Sequence, residues 1–220
     1  MIAHEWVLAS NSPRRRELLG LAGLSFGVQP ADVDESRLLG EDPAAYVSRL
    51  ARHKACTIAK RAQPAALILA ADTTVADGAE ILGKPQDEAD ARRMLLQLRG
   101  RTHQVYTALA VATPGCETML TELCLSQVPM RAYTDDELET YLRSADPMDK
   151  AGSYAIQHAG FHPVEHFSGC FASVMGLPLC HLTRALARLG MELDLAAACQ
   201  AHLGYACPIA REIQNGKNVG

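Results

Sequence analysis

The chain has 220 residues, of which 48% are hydrophobic and 21% are charged, and this composition excludes disordered, collagenous and coiled-coil proteins. A formal net charge of -4 excludes the broad basic surface that binds DNA or RNA through many phosphates. We therefore expect no nucleic-acid polymer as a partner, whereas a small anion remains compatible with a local cationic pocket.

The sequence also bears on compartment and redox state. No segment approaches the roughly 18 apolar residues of a membrane helix, and the first nine residues lack the basic and apolar regions of a signal peptide. We expect a cytoplasmic protein without membrane contact. The seven cysteines are an odd number and form no CxxC pair, which predicts reduced, buried thiols rather than a disulfide framework.

The first half of the chain alternates predicted strands and helices. A short strand at Trp6–Ala9 precedes a helix that begins at Ser12-Pro13, since Ser is a good N-cap and Pro suits the first helical position. A second helix begins at Pro43. The run Ala65–Ala71 is continuously apolar, as expected of a strand covered on both faces, and we predict that this strand ends at Asp72.

The remaining elements follow from turn and capping signals. A hairpin is predicted at Asp77-Gly78, and two alternating stretches around Pro114-Gly115 predict a second hairpin. A capping box at Thr134–Glu137 starts another helix. Further elements are a helix at Asp87–Leu98, short strands at Tyr154–Gln157 and Phe171–Met175, and a helix at Leu179–Leu189. The order of elements predicts an α/β protein with a mixed sheet and helices on its faces.

A first candidate site is the helix start after Ser12. Arg14, Arg15 and Arg16 oppose the positive end of the helix dipole there, an arrangement that is favourable when an anion is bound. Free backbone N–H groups and guanidinium groups together form a phosphate site. The alternative is a solvated basic turn without a ligand.

Acidic residues occur at two separated places, the loop Asp34-Glu35 and Asp72 after the apolar run. Phosphoryl chemistry uses a hard cation held by carboxylate oxygens and a carboxylate that activates or positions water. If the two places meet, both needs are satisfied. For the loop alone, a solvated acidic turn is the alternative.

Two familiar motifs are rejected. Residues 78–84 match GxxxxGK, but Pro85 stands where the magnesium-binding Ser or Thr is required and opposes entry into a helix. Lys84 itself remains a candidate for the same pocket as Asp72. There is no GxSxG elbow, and Gly169-Cys170 has no assigned base, so covalent nucleophilic catalysis is not expected.

An ordered series of short motifs resembles the Maf proteins, which are house-cleaning nucleoside triphosphate pyrophosphatases with an ITPase-like fold. The series covers roughly residues 6–189. Its pieces are Leu8–Arg15, Leu50-Ala51 with Lys54-Ala55, Ala71–Thr73, Leu82–Pro85, Gly100 with His103–Val105 and Thr107, Asp149–Gly152, Tyr154 with Ile156-Gln157, and Gly176–Leu179.

The resemblance implies a mixed, elongated twisted sheet with flanking helices that form two lobes around a central cleft. There a nucleoside triphosphate would be hydrolysed between its α and β phosphates. Asp72 is implied as the catalytic proton acceptor, or instead as a metal ligand, and Glu35 as a metal ligand for Mg²⁺, Mn²⁺ or Co²⁺. The residues implied to neutralise or hydrogen-bond the phosphates are Lys54, Lys84, Arg15, Ser10 and Ser12.

Substrate choice is implied by three positions. Arg14, Thr73 and Gln157 match the subgroup that acts on dTTP and UTP, whereas the 7-methyl-GTP subgroup carries Trp, Gln and Glu. The alternatives are 7-methyl-GTP or broader specificity, and a non-catalytic nucleotide-binding regulator of cell division. His158, where a Gly is usual, and the sequence 171–175 depart from the family pattern near the presumed base pocket.

The resemblance also divides the chain. We predict one two-lobed catalytic domain over residues 1–190 and a C-terminal extension, 191–220, that has no counterpart in the family pattern. The expected partner is the nucleoside triphosphate substrate, and a homodimer is an assembly that the sequence leaves open.

Overall fold

A mixed sheet forms the centre of the protein. The structure, a computed structural model, describes residues 5–204, 206–217 and 220. In this part of the chain the strands are β1 (Glu5–Leu8), β2 (Phe26–Val28), β3 (Ala66–Asp77), β4 (Glu80–Leu82), β5 (Thr102–Ala112) and β6 (Met119–Pro129). Their order is β2-β1-β3-β5-β6, with β4 paired to the end of β3. Because β1 is parallel to β2 and β3 while the other pairs are antiparallel, the predicted mixed sheet is confirmed.

Helices flank this sheet, and those that the sequence predicts start at their predicted signals, whereas α5, α7 and α8 were not predicted as helices. They are α1 (Pro13–Gly20), α2 (Pro43–Ala59), α3 (Glu88–Leu98), α4 (Asp135–Arg143), α5 (Phe171–Met175), α6 (Leu179–Ala187), α7 (Leu195–Leu203) and α8 (Ala210–Gln214). The Ser12 side chain caps α1, and Asp42 caps α2. The capping box of Thr134 and Glu137 is formed at the start of α4. Each cap satisfies backbone N–H groups that have no partner within the helix.

Strand β3 is longer than the sequence predicts. It pairs with β5 without interruption from Ile68 to Ala76, so Asp72 lies inside the strand and not at its end. The prediction was wrong because the polar residues after Ala71 interrupt only the apolar pattern. The backbone hydrogen bonds of an antiparallel ladder form whatever the polarity of the side chains.

The alternation of side chains along β3 separates the hydrophobic cores. Ile68 and Ala70 lie in a core beneath α2, and Ala71 lies on the opposite face, in a core formed with α1, α5, α6 and α7. Val75 shares that opposite face but belongs to a third core with α3 and α4. Thr73 stands between the second and third cores, so a polar gap separates the two lobes.

Two predicted strands are absent. Residues 171–175 form the short helix α5, which ends at Gly176 with φ 114°. A short apolar run fits a buried helix as well as a buried strand, and its periodicity does not distinguish them. Residues 154–157 belong to no strand or helix. Residues 78–84 form the β3–β4 hairpin and the loop after it, which is not the strand-to-helix context of a phosphate-binding loop.

The prediction that the cysteines are reduced is wrong for one pair. Cys56 near the end of α2 and Cys116 in the β5–β6 turn form a disulfide, with their Cα atoms 5.3 Å apart. Spacing along the sequence does not show this pair, because 60 residues separate the two cysteines. Outside this disulfide, the thiols of Cys170, Cys180 and Cys199 are buried, and the thiol of Cys207 is partly exposed.

The segment after residue 190 packs on the body of the protein. A small buried core includes Cys180 of α6, Ala196 of α7 and Ile213 of α8. Arg184 of α6 donates hydrogen bonds to the backbone carbonyls of Ile213 and Lys217, at 3.0 and 2.9 Å. The assignment of 191–220 as a separate extension stays a prediction.

Among the helices of the described residues, none combines the length and apolar character needed to cross a bilayer.

Gly152 offers a test of how closely the loop after α4 packs on strand β3. Its φ is +68°, and an added Cβ would lie 2.9 to 3.1 Å from side-chain carbons of Val75. Gly152→Ala should lower the free energy of unfolding by about 2 to 4 kcal/mol, through left-handed strain and overpacking. Gly78 has a similar φ of +62° with nothing within 4 Å. Gly78→Ala should therefore cost only about 1 to 2 kcal/mol in urea denaturation, and equal losses would contradict the packing argument.

Candidate active site

The polar gap between the lobes opens into a cleft of about 520 Å³, a size typical of small-molecule sites. The site residues that the family resemblance implies all line this cleft: Ser10, Ser12, Arg14, Arg15, Glu35, Lys54, Asp72, Thr73, Lys84 and Gln157. Five lining residues are cationic (Arg14, Arg15, Lys54, Lys84 and Lys150) and three are acidic (Glu35, Asp72 and Asp149). The cleft therefore carries an excess of positive charge, although the whole chain is acidic.

Lys54 joins the two separated acidic places at the cleft. Its Nζ lies 2.7 Å from Oδ1 of Asp72 and 2.6 Å from Oε1 of Glu35. Lys54 and Asp72 are buried, on α2 and β3, whereas Glu35 is exposed on the loop between β2 and α2. The hydroxyl of Tyr46 on α2 donates to the Glu35 carbonyl at 2.9 Å, so α2 also anchors that loop.

Asp72 is held in an environment that disfavours its charge. Burial raises the pKa of its carboxyl above the usual value, and the positive charges of Lys54 and Arg15 oppose that rise. Lys54 occupies Oδ1, and no hydrogen bond from the described residues reaches Oδ2. Oδ2 is thus available to water, a substrate or a cation.

Arg15 connects α1 to both sides of the cleft. Its guanidinium donates to the Gly176 carbonyl at 2.9 Å, to Thr73 Oγ1 at 3.2 Å and to Ser10 Oγ at 3.3 Å. Burial lowers its pKa from the ordinary value and Asp72 opposes this, but an arginine remains charged under all working conditions. Of the three arginines at the start of α1, Arg15 is therefore fixed in place, whereas Arg16 is exposed and does not line the cleft.

A chain of hydroxyl groups continues from Arg15 into the sheet. Thr107 Oγ1 on β5 lies 3.0 Å from Thr73 Oγ1 and 2.8 Å from the Ser173 carbonyl. Because a hydroxyl carries one proton, Thr107 donates to Ser173 and accepts from Thr73, which in turn accepts from Arg15. Helix α5 is thereby tied to the two central strands at the cleft.

The opposite wall contributes charges to which the sequence analysis gave no role. Lys150 is buried and donates to Asp149 Oδ1 at 2.6 Å and to Asp146 Oδ1 at 2.8 Å. Asp149 also forms a 3.7 Å ion pair with Arg14 across the cleft. Asp149 and Lys150 belong to one of the quoted motifs, Asp149–Gly152, and the placement of a lysine directly before Ala-Gly was the signal that could have identified them.

Lys84 and Gln157 are exposed at the cleft, and within the described part of the chain neither side chain hydrogen-bonds to another residue. Lys84 follows the β3–β4 hairpin, and Gln157 lies in the irregular segment before α5. Both side chains are free to contact a ligand. Ser10 and Ser12 instead point their hydroxyls at α1, where Ser12 Oγ accepts from the Arg15 backbone N–H.

The donor set fits a hard divalent cation better than a structural zinc. Glu35 and Asp72 approach one ammonium group, and no cluster of three His, Cys, Asp or Glu occurs in residues 5–204, 206–217 and 220. Mg²⁺ is usually held by one or two carboxylates together with phosphate oxygens of a substrate, whereas structural zinc needs four protein ligands.

The fold and cleft define a class of α/β protein in which two lobes share one sheet and enclose a charged site. Residues 5–189 match the family model described as Maf-like protein. The chain belongs to this Maf-like family.

The matches to two relatives cover 87% of this chain and nearly the full length of each relative. A protein of Myxococcus xanthus named dTTP/UTP pyrophosphatase is 48% identical over 192 residues, which cover 87% of this chain and 96% of that protein. A protein of the same name from Anaeromyxobacter dehalogenans is 46% identical over 196 residues, covering 87% and 97%. The Ham1 protein of Staphylococcus aureus is a distant structural neighbour, with TM-score 0.42 and 16% identity over 74% of this chain and 81% of that one.

Removal of Lys54 tests the buried ion pair. Lys54→Met leaves Asp72 without its nearest cation and should lower the free energy of unfolding at pH 7 by about 3 kcal/mol. The same change at exposed Lys84 should cost no more than about 0.5 kcal/mol.

The loss of folding stability caused by Lys54→Met should increase as the pH rises. The pKa of Asp72 is already raised in the folded state, and loss of Lys54 raises it further. A carboxyl whose pKa is higher in the folded state destabilises the fold as pH rises above the unfolded value near 3.8. The deficit of Lys54→Met in urea denaturation should therefore grow between pH 4 and pH 7. A constant deficit would contradict the assigned ion pair.

Proposed function

We propose that the protein hydrolyses dTTP and UTP to the nucleoside monophosphate and pyrophosphate, a house-cleaning activity on the nucleotide pool. The observation that carries this proposal is the meeting of Asp72 and Glu35 at Lys54, inside a cleft that also holds Arg15. This pairing of carboxylates and cations suits a bound triphosphate and the charge that develops as its phosphoanhydride bond breaks. The names of the relatives support the same reaction.

A divalent metal ion is part of the proposal. Glu35 would hold Mg²⁺, or Mn²⁺ or Co²⁺ in its place, with phosphate oxygens as further ligands, and Asp72 would be a second protein ligand in the alternative to its role as the base. The ion supplies Lewis-acid stabilisation of the negative charge on the phosphates.

The protein side chains divide the remaining work. Asp72 accepts the proton of the attacking water through Oδ2 while Lys54 holds Oδ1, and the raised pKa of Asp72 brings it closer to the range of an effective base. Lys84, Lys54 and Arg15 neutralise the phosphates. The alternative role of Asp72 as a metal ligand keeps the same contact with Lys54.

Three cleft residues match the dTTP/UTP subgroup, Arg14, Thr73 and Gln157, and of these Gln157 contacts the base in this proposal. Gln157 has an amide with no competing partner among the described residues, so it can both donate to and accept from a pyrimidine edge. Thr73 acts by fixing Arg15, since its hydroxyl accepts from that guanidinium. Arg14 must exchange its ion pair with Asp149 for a phosphate.

A nucleotide panel tests this function. Purified protein with Mg²⁺, and separately with Mn²⁺ or EDTA, should release pyrophosphate and monophosphate from dTTP and UTP, and EDTA should abolish turnover. Faster hydrolysis of 7-methyl-GTP would overturn the substrate assignment. Nucleotide binding without turnover of any triphosphate would instead support a regulator.

Equilibrium sedimentation of the same sample distinguishes a monomer from a homodimer, and fractionation of cells checks the proposed cytoplasmic location.

Asp72→Asn tests the assigned acid. The substitution is isosteric and leaves Lys54 paired with Glu35, so kcat should fall by about 10²- to 10⁴-fold while the protein stays folded. Asp77→Asn, on the same strand but outside the cleft, serves as the control and should leave kcat unchanged. Titration calorimetry with Mg²⁺ and a non-hydrolysable triphosphate then separates the roles, because loss of metal affinity identifies Asp72 as a ligand and retention identifies it as the base.

A further inference from the structure

Two segments of the cleft wall lie between α4 and α5, where the backbone forms only short 3₁₀ turns, Asp146–Asp149 and Ala151–Ser153, and irregular loops. One carries Asp149 and Lys150, and the other carries Gln157. Neither segment belongs to a strand, so sheet hydrogen bonds do not fix their separation. Some other contact must hold them at a constant distance if a nucleotide base is to be read between them.

The hydroxyl of Tyr141 on α4 joins these two segments directly. It donates to Asp146 Oδ2 at 2.7 Å and accepts from the Ala155 backbone N–H at 3.0 Å. The other carboxylate oxygen of Asp146 accepts from Lys150 at 2.8 Å, and the Asp146 carbonyl accepts from Lys150 at 2.6 Å. One hydroxyl therefore connects the lysine of one segment to the first residue of the turn that contains Gln157.

The ring of Tyr141 is fixed as firmly as its hydroxyl. Only 2% of Tyr141 is exposed, and its ring stacks on Phe161 at 4.2 Å between centroids. The imidazole of His158 packs edge-on against Tyr141 at 4.8 Å, and its Nδ1 accepts from the Phe161 backbone N–H at 2.9 Å. The turn from Ala155 to His158 closes with a 3.1 Å backbone hydrogen bond, so Gln157 is held from both sides.

Tyr141 stays a hydrogen-bond donor throughout the working pH range. Burial raises the pKa of its hydroxyl well above the ordinary value, and the hydrogen bond to Asp146 adds to that rise. The connection between the two segments is therefore not interrupted by titration of the phenol.

We propose that Tyr141 is a positioning residue for pyrimidine selection, which fixes the distance between Lys150 and Gln157 by bridging Asp146 and Ala155. This inference rests on the proposed function, since it assigns Gln157 the recognition of the base. Tyr141 does not line the cleft and acts only through the two segments that it joins.

Tyr141→Phe removes both hydrogen bonds and keeps the stacked ring. The matched control is Tyr133→Phe, because Tyr133 is equally buried in the same core and donates to the Leu95 carbonyl at 2.6 Å, away from the cleft. For Tyr141→Phe we expect KM for dTTP and UTP to rise about tenfold with kcat within about twofold. The preference for dTTP and UTP over purine triphosphates should fall in parallel. For Tyr133→Phe we expect unchanged KM and preference, with melting and near-UV circular dichroism to confirm that both variants are folded.

A double-mutant cycle with Gln157→Ala tests whether Tyr141 acts through Gln157. In the Gln157→Ala background, Tyr141→Phe should raise KM by less than about twofold. Full, independent effects of the two substitutions would overturn the proposal, as would equal KM values for the two tyrosine variants in an active protein. If the wild-type protein hydrolyses neither dTTP nor UTP, the proposed function fails and this inference fails with it. If it hydrolyses them but the two tyrosine variants have equal KM values, only this inference fails.

Discussion

The buried carboxylate of Asp72 is the constraint on which the arrangement of the cleft depends. An unpaired charge inside a sheet is strongly unfavourable, and a partner that is itself buried must come from an element packed on the same face. The even-numbered side chains of β3 face α2, so Asp72 meets Lys54 on that helix. The same lysine then attracts Glu35, which draws the β2–α2 loop over the cleft. One buried ion pair thereby helps to position the acidic loop, together with the hydrogen bond from Tyr46.

The other face of β3 carries a polar side chain that also needs hydrogen-bond partners. Thr73 interrupts an otherwise apolar row, and its hydroxyl needs partners because hydroxyl groups are costly to bury alone. Arg15 and Thr107 supply them, and they also bind the carbonyls of Ser173 in the middle of α5 and of Gly176 at its C-terminal cap. The functional residues are therefore also the residues that hold α1, α5 and the sheet together. Substitutions at these positions alter stability as well as ligand contacts, and kinetic effects must be compared with melting data.

Much of this arrangement could be predicted from the sequence. Helix starts could be predicted because side-chain caps act locally, and the site residues implied by the family resemblance all line one cleft. The errors have a common cause, which is that the deciding partner lies far away in the sequence. Asp72 remains in a strand because β5 pairs with it, Cys56 meets Cys116 through the fold, and the segment 154–157 is held by Tyr141 instead of a ladder. Local patterns contain none of these contacts.

The continuous strand β3 has a consequence for how such a protein can adapt. Both lobes share β3 and β5, and their ladder runs beneath the cleft from Ile68 to Ala76 without a linker. The lobes therefore cannot separate as two bodies about a flexible hinge without breaking sheet hydrogen bonds. The segment 146–157 lies outside the sheet, so substitutions there can change the contacts to the nucleobase without breaking the ladder. Substrate range can thus diverge through changes in that segment while the chemistry on the sheet is left intact.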